Sequence, residues 1–567
     1  MNKQTNKLEA VEVIKDRSNF LRGTIASELI NPITGSITAD DTQLTKFHGI
    51  YQQDDRDLRK ERARQKLEPL YSFMIRARVP GGVMTTDQWL AVDQMADTFA
   101  NGSIRLTTRQ AFQFHGVIKT RLKSTVAAIN EQLMDTLAAC GDVNRNVMCT
   151  ANPELSAVHQ QVYEDAARIS AHLTPQTRAY HEIWLDGQQV TNNQPKDAEP
   201  IYGQTYLPRK FKTAVVIPPD NDVDVLAHDL GFVAIVRDQK LLGYNITVGG
   251  GMGTTHGDAD TFPLLAQTLG FCRPEQILEV AEHIVMIQRD HGDRTNRKHA
   301  RFKYTVDDHG LPWLRDQLTT RMGWSLEPPE QAEFTHNGDR YGWRQNADGS
   351  WHHTLYVASG RVQDDQRQTL KTALREIAGS HKGTFRLTAN QNLIIADVPE
   401  DQKDHIDDLL KTHQLTENIS LTRSLSMACV AFPTCALAMA EAERYLPELI
   451  DHIDDLQLKH GIASRGIVTR MTGCPNGCAR PFMAELGFVG KAPGRYNLYL
   501  GGNPQGTRLN QMYRENIDEK EILKQLDELF RAYANDAQVE EAFGDFVIRA
   551  GYVKAVEHGR QVHLQVV

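Results

Sequence analysis

Apolar and polar residues alternate along Tyr71-Ser-Phe-Met-Ile-Arg-Ala-Arg-Val79, the period-two pattern of a half-buried strand, and Pro80-Gly-Gly82 ends it. Trp89, Leu90, Val92, Met95, Ala96 and Phe99 then recur at helical spacing and predict a helix over 86–100. After the turn Asn101-Gly102 the alternation resumes from Ser103 to Val117, so the segment reads strand, helix, strand. Leucines and Phe530 at helical spacing predict an amphipathic helix over 520–534 whose apolar stripe packs on a core. Stretches 186–200 and 325–350 are polar and turn-rich, as surface loops or junctions are. Residues 1–65 are polar and irregular and read as an arm. Its first twenty residues are expected to be a solvated tail, whereas Phe47-His-Gly-Ile-Tyr51 has the aromatic weight to dock on something.

The strand–helix–strand unit recurs. Gly102 to Val117 aligns without gaps with Gly383 to Val398, and a strand (71–79; 354–359) and a helix precede each. Cys149-Thr-Ala-Asn-Pro153 echoes Cys429-Val-Ala-Phe-Pro433. Ile217-Pro-Pro219 with Leu230-Gly-Phe-Val233 echoes Gly473-Cys-Pro475 with Leu486-Gly-Phe-Val489 at constant offset, and Asn245 to Gly250 loosely matches Asn497 to Gly502. Four echoes in one order indicate two fused copies with a pseudo-twofold axis, and a site where the halves meet. The copies differ in chemistry: Cys435, Cys474 and Cys478 have no cysteine opposite them, and Asp220-Asn-Asp222 stands opposite Asn476-Gly-Cys478. The first copy carries cations instead, among them Arg76, Arg78, Arg105, Arg109, Arg145 and Arg209-Lys-Phe-Lys212.

The chain has 567 residues, enough for several domains. Its net charge of −9 argues against a general binder of nucleic acid or anionic membranes. The N-terminus lacks the apolar core of a signal peptide and no stretch reaches the length of a membrane span, so a cytoplasmic protein is expected. Seven cysteines are too sparse and odd in number for a disulfide framework.

Four of them carry the candidate chemistry. Cys429-x5-Cys435 and Cys474-x3-Cys478 supply the four thiolates that a cubane iron–sulfur cluster needs, one per iron. Zinc knuckles mostly use C-x2-C spacing, and zinc has no need of Gly473, Pro475 and Gly477 packed around the ligands. Those residues let backbone amides approach the cluster's sulfides. Any single arginine of the first copy could simply solvate a face. Together the cations would form a pocket for a polycarboxylate cofactor, a small oxyanion or both. His115 reads as a ligand or a satisfied core histidine, and Gly249-Gly-Gly-Met-Gly253, lacking a P-loop lysine, as a structural turn. Cys140 and Cys272 are expected to be buried small hydrophobes, and Cys149 to have no metal role.

The cysteine pattern, with Thr107-Thr-Arg-Gln-Ala-Phe-Gln-Phe-His-Gly116, Leu207-Pro-Arg-Lys-Phe-Lys212 and Lys46-Phe-His-Gly-Ile-Tyr-Gln-Gln-Asp-Asp-Arg-Asp57, resembles the siroheme-containing sulfite and nitrite reductases over essentially the whole chain. The resemblance implies a duplicated α+β and α/β fold. Paired ferredoxin-like half-domains (66–140 and 345–420) would cap a siroheme and substrate module (141–344) and an iron–sulfur and siroheme module (421–567), with the cofactors at the three-domain junction and 1–65 as an extended arm. It implies siroheme and a 4Fe-4S cluster, with Cys478 both a cluster ligand and the axial ligand of the siroheme iron. The activity implied is the six-electron reduction of sulfite to sulfide in assimilatory sulfate reduction and cysteine biosynthesis.

By matching motifs, Arg78, Arg145, Lys210 and Lys212 would line the substrate face, the lysines delivering protons and the arginines supplying charge and orientation. Arg109, His115, Arg301 and Lys303 would help to hold the eight carboxylates of siroheme, and the Asn476 amide would hydrogen-bond near cluster and haem. No dinucleotide fingerprint is present, so electrons would come from a flavoprotein subunit carrying FAD and FMN and fed by NADPH, with the arm as a docking element. Assimilatory nitrite reductase and ferredoxin-dependent sulfite reductase are the nearest alternatives. A non-catalytic iron–sulfur electron carrier and a zinc protein are alternatives of other classes, and a visible spectrum separates them.

Overall fold

The predicted strand over 71–79 forms as Tyr71–Arg76, with Phe73 and Ile75 fully buried, and the helix as Thr86–Phe99. The run from 103 to 117 is not one strand. It folds as a hairpin, Ile104–Leu106 against Phe112–Val117, because Gln110 turns the chain in the left-handed region at φ 48°. The second copy does the same with Thr384–Leu387 and Leu393–Val398, where the equivalent Gln391 has φ 71°. In this computed structural model residues 8–152, 157–176, 184–185, 188–189, 199–416 and 419–564 are described; nearly all of the expected loop 186–200 lies outside them.

Each hairpin belongs to a five-stranded antiparallel sheet that borrows one edge strand from the other half. Val83–Thr85 pairs with Thr384–Leu387, and Arg361–Val362 pairs with Ile104–Leu106. Helices Thr86–Phe99 and Leu370–Ser380 pack against each other, and Trp89 meets Phe385 of the other half edge-on at 5.2 Å. One hydrophobic core therefore runs through both half-domains.

The two α/β modules repeat one topology. Met148–Cys149, Thr213–Val216 and Leu230–Arg237 run parallel, and Lys240–Val248 and Gln267–Cys272 return antiparallel. Ser426–Ala428, Thr469–Thr472, Leu486–Ala492, Arg495–Leu500 and Gln511–Ile517 have the same order and directions. Leu230 pairs with Thr213 as Leu486 pairs with Thr469, so the echo between the copies is an echo of register. The C-terminal amphipathic helix spans Glu519–Asp536 and buries Ile522, Leu526, Leu529, Phe530 and Tyr533.

The N-terminal segment differs from expectation. From residue 8 onward it is folded into the molecule. Helix Ala10–Arg17 buries Lys15 completely, and its ammonium reaches Glu12 at 2.5 Å, the Leu207 carbonyl at 2.8 Å and Asp142 at 3.7 Å. A lysine survives such burial only with partners of this kind. Leu21, Leu44 and Phe47 join the core of the first α/β module, and Ile50–Asp54 adds a strand beside Tyr71–Arg76. Residues 8–65 are thus shared between two cores and are not a free arm. Within 325–350, Gly342–Gln345 forms an edge strand against Trp351–Leu355, which begins before the expected 354–359. Among the described residues no helix is long and apolar enough to cross a membrane.

Candidate active site

A cavity of about 320 Å³ opens where the half-domains meet both α/β modules, and all four clustered cysteines line it. Cys429 follows the strand Ser426–Ala428, and Cys474 and Cys478 sit in the turn after Thr469–Thr472. That turn is tight for reasons in its sequence. A Cβ at Gly473 would lie 2.6 Å from both the Ala431 Cβ and the Ala440 carbonyl, and Gly477 has φ 62°. The close approach aims donors at sulfur: the Gly473 amide reaches Cys429 Sγ at 3.3 Å and Asn476 Nδ2 reaches Cys474 Sγ at 3.6 Å.

Burial, and then the other thiols, push Cys429 far above the ordinary cysteine value, raise Cys435 and push Cys474 up to about 12. These three thiols keep their protons until a cationic centre takes the protons' place, as metal-ligand thiols do. Among the described residues no three His, Cys, Asp or Glu side chains converge closely enough to share one ion. Four thiolates lining one cavity supply one ligand for each iron of a cubane.

The first copy contributes the cations. Lys210 and Lys212 precede strand Thr213–Val216 and face the cavity. Burial deep in the site, with Arg209 and Arg301 nearby, lowers Lys210 to about 7. Burial and Lys210 hold Lys212 well below the usual lysine value. Arg145 enters with its guanidinium on the Gly141 carbonyl at 2.9 Å. Arg109 sits at the hairpin tip and is lowered to about 9, chiefly by burial and then by Arg145, and its buried Nε has no partner. Among the described residues neither ring nitrogen of His115 has one, and burial with Arg361, Arg105 and Arg76 holds that imidazole well below the usual histidine range. Orphaned donors on a cationic wall fit a buried polycarboxylate, which would supply the missing acceptors.

Three expected contacts are not made. Arg78 is turned away because the strand ends at Arg76: its guanidinium pairs with Asp135 at 2.6 Å and also donates to Ser170 and Thr174. Arg76 takes the place at the cavity, with Nη1 3.2 Å from Cys140 Sγ, so Cys140 is a polar contact and not merely a small hydrophobe. Arg301 lies behind Lys212, bidentate on Asp229 at 2.9 and 3.0 Å, while Asp229 also accepts the Lys212 amide at 2.9 Å. Lys303 donates to the carbonyls of Gly251, Gly253 and Phe262. It thereby fixes the glycine-rich loop, which clamps the cysteine turn through the Thr254 amide on the Pro475 carbonyl at 2.9 Å.

Sequence reasoning also missed Lys46 and Tyr51, which line the cavity from the N-terminal segment, and Arg56, whose Nη1 donates to the carbonyls of Cys435 at 2.8 Å and Ala438 at 2.7 Å. The charged run beside Phe47–Tyr51 was the available signal. Cys149 and Cys272 are buried away from the cavity, and burial drives both thiols up, Cys272 to about 12.

Comparison with known proteins places this architecture. The nitrite and sulphite reductase 4Fe-4S domain matches residues 164–326, and the nitrite/sulfite reductase ferredoxin-like half domain matches twice, at 65–132 and 344–413. A protein of Oceanobacillus iheyensis named sulfite reductase (NADPH) hemoprotein beta-component is 56% identical, covering 99% of this chain and 98% of that protein. The Anoxybacillus flavithermus protein of the same name is 57% identical over 98% and 97%. The chain belongs to the nitrite and sulfite reductase family. The duplicated ferredoxin-like halves are thereby a family feature as well as a sequence echo. The family's 4Fe-4S domain matches the copy that lacks the four clustered cysteines, so that set lies in the equivalent module and not in the matched span. The structure of the Mycobacterium tuberculosis NirA protein shares the fold, with TM-score 0.79 and 24% identity over 97% of this chain and 98% of that one.

Proposed function

We propose that this chain reduces sulfite to sulfide by six electrons within assimilatory sulfate reduction and cysteine biosynthesis, a reading supported by the name sulfite reductase (NADPH) hemoprotein beta-component that its curated relatives carry. The observation that carries the reading is that four cysteines of one copy and the cations of the other line one cavity. When bound, a 4Fe-4S cluster would relay the donor's electrons and siroheme would supply the iron at which the anion reacts. Cys429, Cys435, Cys474 and Cys478 would hold the cluster, and Cys478 would also hold the siroheme iron. Arg109, His115 and Asn476 bind the macrocycle's carboxylates and edge.

Arg76 and Arg145 hold the oxyanion by charge and orient it. Lys210 and Lys212 carry protons at Nζ to oxygens that leave as water. A lysine near pH 7 gives up and regains a proton at neutral pH, which an arginine does not. Electrons arrive from a separate flavoprotein subunit carrying FAD and FMN, in the cytoplasm, since the chain carries no dinucleotide motif of its own.

The test is the visible spectrum and steady-state turnover of the protein reconstituted with both cofactors, assayed separately with sulfite and with nitrite. Siroheme absorption with faster sulfite turnover supports the reading. Iron–sulfur absorption alone would make the chain an electron carrier, and a preference for nitrite would reassign the substrate.

A further inference from the structure

Asp224 and Arg480 occupy equivalent positions in the two copies, at the separation that relates Leu230 to Leu486. Both are left-handed, at φ 50° and φ 54°, and each opens a short 3-10 turn, Val225–Ala227 and Pro481–Met483. Their side chains meet: Arg480 Nε donates to Asp224 Oδ2, and Asp224 is completely buried. Two equivalent residues can touch only on the pseudo-twofold axis, so this ion pair marks where that axis runs.

The rest of the guanidinium is used symmetrically. Nη1 donates to the Thr108 carbonyl at 3.1 Å and Nη2 to the Ala389 carbonyl at 2.9 Å. Thr108 and Ala389 are themselves equivalent, one on the tip of each hairpin. One side chain thus ties both half-domains to the first α/β module from a position two residues after Cys478. The same tip returns to that cysteine, since Thr108 Oγ1 donates to the Cys478 carbonyl at 3.0 Å. Both tips also serve the site, through Arg109 on one and Gln391 on the other. Asp224 does not depend on Arg480 alone, because Arg470 Nη1 pairs with it at 2.7 Å and Asn337 Nδ2 at 2.5 Å.

We infer that Arg480 is a positioning residue that registers both hairpin tips and the Cys478 turn on one axis, and so sets where Cys478 stands relative to the cationic wall. The inference rests on the proposed cofactor reading only for its effect on cofactors. The planar fork is essential to it: a lysine can keep the pair with Asp224 but cannot also reach two diverging carbonyls, so the buried Ala389 carbonyl and the partly buried Thr108 carbonyl lose this donor.

The test compares wild type with Arg480→Lys as full-length protein, with and without cofactors. Amide hydrogen exchange is followed at both tips, 107–111 and 388–392, and the cluster potential by an EPR-monitored titration. Exchange is expected to rise at both tips together, the potential to shift at unchanged iron content, and turnover to fall about a hundredfold, as a misplacement near 1 Å can cause. Exchange unchanged at either tip, or an unchanged potential, overturns the inference. If Arg480→Lys does not fold, Thr108→Val removes only the hydroxyl on the Cys478 carbonyl. A shifted visible spectrum at full iron loading then supports the inference, and an unshifted one overturns it. Wild-type protein without siroheme absorption would defeat the cofactor reading, while the paired exchange response of the cofactor-free chain would still decide this one.

Discussion

Asp222 and Cys478 are the same position in two copies of one module, and their fates differ. Asp222 is closed in: Thr150 Oγ1 at 3.0 Å, the Ala151 amide at 2.9 Å and Asn152 Nδ2 at 3.2 Å all donate to its carboxylate. Cys478 has its thiol open to the cavity and its backbone carbonyl held by Thr108. Cys149 and Cys429 contrast in the same way. The side chain of Gln110 spans the backbone N–H and C=O of Cys149, both at 2.8 Å, whereas Cys429 lies in the cavity wall with the Gly473 amide on its sulfur. At these two pairs of positions one copy satisfies its polar groups internally while the other turns its thiols to the cavity, which the cations of the first copy line from the opposite side.

The largest effect should come from exchanging cysteine chemistry between the copies. Cys478→Ser is expected to lose cluster iron, normal haem ligation and all measurable turnover, while Cys149→Ser keeps wild-type iron and spectrum. Iron and acid-labile sulfide analysis of the two purified variants checks this. Iron loss from Cys149→Ser would mean that the copies are not divided as described.

Next is the division of cations within the first copy. Lys212→Ala and Lys210→Ala should retain both cofactors and lose about 10²–10⁴-fold in turnover, the usual contribution of a positioned proton donor. Wild-type turnover at wild-type cofactor content would remove the lysines from proton delivery.

Arg76 and Arg78 sharpen the comparison further, being two residues apart in one strand motif. Arg76→Ala should raise the KM for sulfite about tenfold to a hundredfold, the equivalent of one lost charge-assisted hydrogen bond of about 1.5–3 kcal/mol. Arg78→Ala should leave KM unchanged and lower only the unfolding midpoint, through loss of the Asp135 pair. Steady-state kinetics beside a thermal melt separates the two, and the reverse result would restore Arg78 to the site.

That pair also shows how far the sequence could be read. The cysteines and the duplication were legible because residue type, spacing and repeat offset locate them without coordinates, whereas Arg109, Arg145, Lys210 and Lys212 were singled out by their match to the motifs of the family the chain resembles. Arg76 was not, because choosing it over Arg78 depends on where the strand stops, and alternation alone does not define an end. Arg301 and Lys303 were misread for a different reason: a basic run states charge but not direction, and both side chains turn to Asp229 and to carbonyls of the glycine-rich loop. The N-terminal helix looked solvated because Glu12 and Lys15 are polar. Their burial depends on Asp142, Leu207 and Arg294, which lie more than a hundred residues away.

The smallest expected effect is the pH dependence that Asp222 gives the cofactor-free chain. Burial raises its carboxyl to about 7 in the folded state, the three donors offsetting only part of that, whereas an unfolded aspartate titrates near the ordinary value of 3.8. Between those values the folded chain holds more protons than the unfolded one, so this residue's contribution to stability is present at low pH and is lost as pH rises from about 4 to 7. Glu485 is raised to about 7 by burial as well and slopes the same way, so the informative quantity is the difference between proteins. Asp222→Asn should flatten the fall in urea midpoint across that window while Glu485 keeps its share of the slope. Parallel midpoint curves for wild type and variant would show that Asp222 ionises in the fold as it does in water. The closed copy would then be no drier than the open one.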